Sequence, residues 1–167
     1  MELEIIKSPK RKKTISARLV NNTIRVNAPA NISEEKLAEA IKKLRSKLEK
    51  RQLKRELNAK KDLSKIAQAL NRKYFGNIIR FASIEYTANQ NRLFGSCNHR
   101  TRIIRLSHRL AKMPDWVRDY VIIHELAHIL VPNHSQAFWE LVYRYELTER
   151  ARGFLIAQGF EAEADLV

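Results

Sequence analysis

The 167-residue sequence predicts an α+β domain. Three observations carry that prediction. Residues 13–28 alternate apolar and polar around Asn21-Asn22, and residues 34–57 follow a helical period. The last third is a series of apolar-striped segments punctuated by Pro114, Pro132 and Gly159. No internal repeat is present. Residues 1–167 read as one domain, with a hairpin region over 1–32, basic helices over 33–76 and a core region over 77–160.

The elements follow in order. Leu3 to Ile6 is a short apolar run, and Lys10 to Lys13 is basic. Residues 13–20 and 23–28 read as strands, with Ile15, Ala17 and Leu19 alternating; the Asn21-Asn22 pair tolerates positive φ and suits a two-residue hairpin turn. Ser33 offers an N-cap, and Glu34 and Glu35 favour the positive end of the helix that follows. Leu37, Ile41, Leu44, Leu48, Leu53 and Leu57 form its apolar stripe, and residues 58–61 break the pattern. A second helix carries Leu63, Ile66, Ala67, Leu70 and Tyr74 on one face, with Gly76 past its end.

Strand character returns over residues 77–89. Residues 94–97 read as a strand end, 98–101 as a turn and 102–107 as another short strand. Pro114 suits the first turn of a helix running to about Val131, where Pro132 stops it. Ser135 can cap a helix from Gln136 to about Leu147. A last helix over 148–158 ends at Gly159, and the chain past Phe160 reads as a fraying end.

Charge is unevenly distributed. The formal net charge is +14, yet residues 1–123 carry 29 Lys+Arg against 11 Asp+Glu, whereas residues 124–167 carry 3 against 7. Such a basic surface attracts phosphate-rich or acidic partners. The helix over 34–57 has no aromatic residue, so it lacks a platform for stacking bases. One cysteine, Cys97, permits no internal disulfide, which fits a reducing, cytoplasmic setting. The acidic start, Glu2 and Glu4, is unlike a secretory leader. The longest apolar region, residues 117–131, contains Arg118, Asp119, His124, Glu125 and His128 and is no membrane span.

That same region carries the chemistry. His124 and His128 are four residues apart, so on a helix their rings lie roughly 40° apart and about 6 Å along the axis, within reach of one ion. Glu125 projects beside them and can hold an attacking water without being a ligand. Val117, Val121, His124, His128 and Val131 share one stripe, and burying two imidazoles and a carboxylate there is costly without partners. A Zn²⁺ ion answers that cost and asks for a third protein ligand, leaving one position for water whose pKa falls to about 7. His134 lies just past the Pro132 break, and Glu140 on the next helix is the rival third ligand. His99 and His108 sit among arginines and read as surface or turn residues.

The runs Phe94-Gly95-Ser96-Cys97, Arg102 to Leu106, Asp119-Tyr120-Val121-Ile122-Ile123-His124-Glu125-Leu126-Ala127-His128 and Asn133-His134-Ser135 with Phe138-Trp139 resemble the YgjP-like metal-dependent hydrolases. These are bacterial zincins related to SprT-like and WLM metallopeptidases. The resemblance extends over nearly the whole chain, including Lys12 to Ser16 and Ala28-Pro29. It implies a zincin-like fold, with a small antiparallel or mixed sheet packed on the active-site helix. It also implies His124, His128 and His134 as metal ligands and Glu125 as catalytic base. The chain departs from the family's common Arg-Trp-Gly-Ser-Cys in reading Leu93-Phe94 before Gly95. Val131 stands three residues after the second histidine, where metzincins place glycine.

Three functions follow as expectations. The first is a zinc metallopeptidase acting on protein or peptide, its substrate pairing with strand 102–107 at a sheet edge. The second is a zinc-dependent phosphohydrolase acting on nucleotides, with Arg100, Arg102, Arg105 and Arg109 as phosphate partners. The third is a nucleic-acid-binding module around a structural metal, closed by Cys97 or Glu140. Tyr120, Tyr143 and Tyr145 are the candidate stabilisers of a developing oxyanion.

Overall fold

The computed structural model describes residues 2–21, 23–60, 62–90 and 92–159. Asn22 of the expected hairpin turn and the chain end past Phe160 lie outside these residues. The backbone forms two compact units, Met1–Leu53 and Lys54–Val167.

In the first unit, β1 (Glu2–Ser8), β2 (Ser16–Val20) and β3 (Thr23–Pro29) form a sheet of order β1-β3-β2. The hairpin is present: β2 runs antiparallel to β3, from Ser16 opposite Asn27 to Val20 opposite Thr23, and Asn21 takes φ 46°. The apolar run at the start becomes β1, parallel to β3 from Glu2 opposite Thr23 to Ser8 opposite Pro29. The central strand therefore holds the buried side chains, Ile24, Val26 and Ala28. Leu37, from the first turns of α1 (Glu34–Lys60), completes that small core, flanked by Ile41 and Leu48. Leu37 is buried on α1, whereas the rest of its apolar stripe, Ile41, Leu44, Leu48, Leu53 and Leu57, is half-buried.

The second unit begins within α1. The helix continues through residues 58–60, where the sequence pattern breaks, because Asn58 has a specific partner. Its amide donates to the Tyr86 carbonyl (3.1 Å) and the Lys54 carbonyl (2.7 Å), and its oxygen accepts the Tyr86 N–H (2.8 Å). Asn58 thus stands in for a neighbouring strand at the edge of β4 (Ser83–Thr87). Helix α2 (Leu63–Phe75) starts where the Asp62 carboxylate accepts the Lys65 N–H and ends at Gly76, φ 60°. Buried Asn71 then donates to the Ile79 carbonyl (2.8 Å) and accepts its N–H (3.3 Å). These bonds hold the chain out of the sheet, so the strand expected over 77–89 is confined to β4.

β5 (Gly95–Asn98) and β6 (Ile103–Ser107) complete a second sheet of order β4-β6-β5. β6 is parallel to β4 and antiparallel to β5. Both edges of β6 are occupied, which corrects the expectation that strand 102–107 offers an edge to a substrate. Among the described residues, the outer edges of β4 and β5 carry no strand, and Asn58 covers part of the β4 edge. Gly95 and Cys97 lie opposite Leu106 and Ile104, whose side chains are fully buried, while Ser96 and Arg105 share the other face.

A 3₁₀ turn (His108–Lys112) leads into α3 (Asp115–Leu130), the central element. Val117, Val121, Ile122, Ile123, Leu126 and Ala127 are buried, so α3 is apolar around most of its circumference. Arg118 is buried too, and its charge is met by Asp115 (2.7 Å) and Asp119 (2.6 Å). Helix α4 (Gln136–Val142) is shorter than expected. The Thr148 hydroxyl takes the Val142 and Tyr145 carbonyls (3.0 and 2.8 Å), and tight turns replace the helix over 143–147. Helix α5 (Thr148–Ala157) closes the unit, with Gly159 past its end at φ 83°. Among the described residues, no helix is long and apolar enough to cross a membrane.

Candidate metal centre

Helix α3 carries His124 and His128 one turn apart, and the extended residue Val131 ends it, turning the chain at Pro132. His134, in the short connection to α4, returns to the same place. The Nε2 atoms of His124 and His128 are 3.2 Å apart, as are those of His124 and His134. One ligand atom from each of the three lies within 4.8 Å of the others.

The surroundings fix these rings. Phe138, fully buried on α4, lies 4.4 Å from the His128 ring in a stack, and 4.9 and 4.7 Å from His124 and His134 at steep angles. His128 Nδ1 lies 3.3 Å from the Val131 carbonyl, so the proton sits on Nδ1 and Nε2 keeps its lone pair. Burial holds His124 well below the ordinary imidazole range, reinforced by His128, His134 and Arg152. Burial and then His134 bring His128 down to about 4, against the opposing pull of the Val131 and Pro132 carbonyls. Both rings are therefore neutral at physiological pH, as metal ligands must be.

The donor set fits zinc. Tetrahedral Zn–N bonds of about 2.0–2.1 Å place two ligand nitrogens roughly 3.3–3.4 Å apart. The 3.2 Å spacing of the His124–His128 and His124–His134 pairs is within about 0.2 Å of that. Converging lone pairs of neutral imidazoles repel unless a shared cation or proton lies between them, and the buried Nδ1 of His124 has no other partner among the described residues.

Glu125 is 5% exposed and lies beside the cluster, against β5. A Cβ on Gly95 would come within 2.8 Å of Glu125 Cγ and Cδ, so only glycine leaves the carboxylate its place. A small half-open pocket adjoins it, lined by Phe94, Gly95, Tyr120, Val121, His124, Glu125 and Leu155 among others.

The family model of the YgjP-like metallopeptidase domain matches residues 58–149. The chain belongs to this family. A YgjP-like domain is a metallopeptidase-type hydrolase domain, and membership implies a metal ion. In fold, the chain is similar to the crystal structure of the metallopeptidase zymogen of Pyrococcus abyssi abylysin, at TM-score 0.50 and 19% identity over 62% of this chain and 98% of that one. No curated protein matches the chain.

Within this YgjP-like domain, one further sequence candidate, Tyr120, lines the pocket with His124 and Glu125. Glu140 accepts from Gln136 (2.9 Å) on an exposed face and does not join the histidines. His99 and His108 are likewise outside the cluster. Arg105 is on the sheet face away from α3, and Arg109 lies over the Phe94 ring while donating to the Gln158 carbonyl (2.8 Å). Arg100 and Arg102 are exposed at the β5–β6 turn, Arg102 with φ 56°. Tyr145 donates to the Trp116 carbonyl (3.0 Å), whereas Tyr120 is 5.9 Å from the His124 ring.

Gly95, whose place against Glu125 admits no side chain, is marked in the sequence only as part of a family motif.

Proposed function

We propose that this chain is a zinc-dependent peptidase that hydrolyses protein or peptide substrates in the cytoplasm. His124, His128 and His134 hold the metal, and Glu125 is the general base. The observation that carries the reading is the convergence of three imidazoles, His124 Nε2 lying 3.2 Å from both His128 Nε2 and His134 Nε2, with a buried carboxylate beside them. Zinc in that position would supply a Lewis acid for a carbonyl oxygen and bring the pKa of its water to about 7. Glu125 accepts the proton of the attacking water and delivers it to the departing amide nitrogen. The His128 Nδ1–Val131 contact keeps one ring in the ligating tautomer, and Phe138 keeps all three rings in register. An extended substrate has a partner in the outer edge of β5, whose Gly95 abuts Glu125. The cytoplasmic assignment rests on a single cysteine, half-buried and unpaired.

Of the arginines named for a nucleotide substrate, Arg100 and Arg102 are exposed at the β5–β6 turn, whereas Arg109 lies over Phe94, which lines the pocket shared by His124 and Glu125. Closure of a structural site is unsupported, because neither Cys97 nor Glu140 joins the three histidines. The test compares wild type with His128→Ala for zinc content by elemental analysis, and for cleavage of unfolded proteins, peptides and nucleoside triphosphates. The expected result is about one zinc per wild-type chain, lost in the variant, with cleavage of protein or peptide. Hydrolysis of triphosphates alone would overturn the peptidase reading.

A further inference from the structure

Arg152 stands out once the three histidines are read as a metal centre. It lies one helical turn before Leu155 on the same face of α5, and Leu155 lines the pocket shared by His124 and Glu125. Its guanidinium sits over the Trp139 ring at 4.8 Å, and that ring is 6.2 Å from His124 and 5.9 Å from His134. Arg152 therefore closes a short chain of contacts leading to two of the three histidines.

Local pairing accounts for only part of this side chain. Nη1 donates to Glu149 (2.8 Å) and to the Tyr143 hydroxyl (3.2 Å). Nη2 and Nε make no hydrogen bond among the described residues, and the side chain is 31% exposed. An exposed pair with Glu149 contributes little stability by itself. A cation beside a site that gathers a dication is unfavourable there unless an anion also arrives. Arginine presents a planar fork of donors suited to receive an anionic oxygen, and the stack on Trp139 holds that fork in place.

We propose that Arg152 binds the anionic oxygen that develops at the substrate carbonyl during hydrolysis, using the nitrogens left free by Glu149 and Tyr143. It deepens the peptidase reading and depends on the three-histidine metal centre. Glu149 then acts as a positioning residue: it orients the guanidinium while drawing off part of its charge. Of the three tyrosines expected to fill this role, Tyr145 is committed to a carbonyl and Tyr143 donates to Glu149 (2.6 Å), while Tyr120 lines the pocket beside His124 and Glu125.

The test is calorimetric titration of the zinc-loaded full chain with three ligands. They are a peptide phosphonate, whose tetrahedral anion mimics the hydrated carbonyl, the matching neutral amide, and inorganic phosphate. Arg152→Gln is expected to weaken the phosphonate about 100-fold, leaving the amide and the zinc content unchanged. Glu149→Gln, at an exposed position, is expected to strengthen both anions, and it decides the matter if Arg152→Gln does not fold. Equal anion affinity in wild type and both variants would overturn the proposal and leave the peptidase reading standing. Parallel weakening of phosphonate and amide would assign Arg152 to packing and also overturn it. Phosphate held through Arg152, with neither peptide ligand bound, would overturn both the proposal and the peptidase reading. Failure of both anions to bind wild type would overturn the proposal outright.

Discussion

Gly95 on β5 and Glu125 on α3 are in van der Waals contact that no larger residue permits: a methyl at Gly95 would lie 2.8 Å from two carbons of the Glu125 side chain. Gly95→Ala is therefore expected to displace the carboxylate without touching the histidines. The rate of peptide hydrolysis should fall by about 100-fold or more, the scale of a misplaced general base, while zinc content stays at the wild-type value. A wild-type rate in this variant would show that Glu125 does not depend on β5 for its position.

Phe138 packs on all three imidazoles and is fully buried. Phe138→Ala opens a cavity beneath them, and a loss of roughly 3–5 kcal/mol in stability is expected from urea unfolding. Zinc affinity should fall as well, because the rings lose the surface that aligns them. Phe138→Leu, which keeps most of the volume, should recover much of the stability and less of the zinc affinity.

The two α3 histidines make the metal-free protein sensitive to acid. His128 titrates at about 4 when folded against 6.5 for a free imidazole, and His124 is shifted in the same direction. Below about pH 6.5 the unfolded chain takes up protons that the folded chain refuses, so stability falls as pH drops toward 4. Above 6.5 this contribution is fully present. Urea midpoints of the metal-free protein should decline steadily between these values, and His128→Gln should flatten the decline. A midpoint independent of pH in that window would contradict the buried, neutral state of the rings.

Cys97 is pushed up to about 12, first by burial and then by the Glu125 carboxylate. At about pH 8 the native thiol is expected to alkylate with iodoacetamide at least tenfold more slowly than in the urea-unfolded chain, since only the thiolate reacts. Glu125→Gln should speed the native reaction modestly by removing one cause of the shift. Equal rates in the folded and unfolded chain would place Cys97 in solvent, away from Glu125.

Local patterns in the sequence reveal the elements, and distant pairings decide their arrangement. The hairpin, α2 with its Gly76 stop and α3 with its break at Pro132 are all written in neighbouring residues. The meeting of His124, His128 and His134 was legible for the same reason, since only ten residues separate the outer two. The central place of β6 was not legible, because parallel pairing with β4 joins residues twenty apart and leaves no local mark. Asn58 reads as the start of a break in the helical pattern, yet it continues the helix and serves the backbone of β4. Arg152 was hidden similarly: its guanidinium lies over the Trp139 ring of α4, to which its own sequence neighbours give no clue.

The central claim is that Glu125 performs proton transfer at a zinc held by three histidines. It is tested most directly by the rate of peptide-bond cleavage in Glu125→Gln, measured at the same zinc occupancy as wild type. The expected result is a loss of about 10²–10⁴-fold with zinc fully retained. Equal rates at equal zinc would contradict the account.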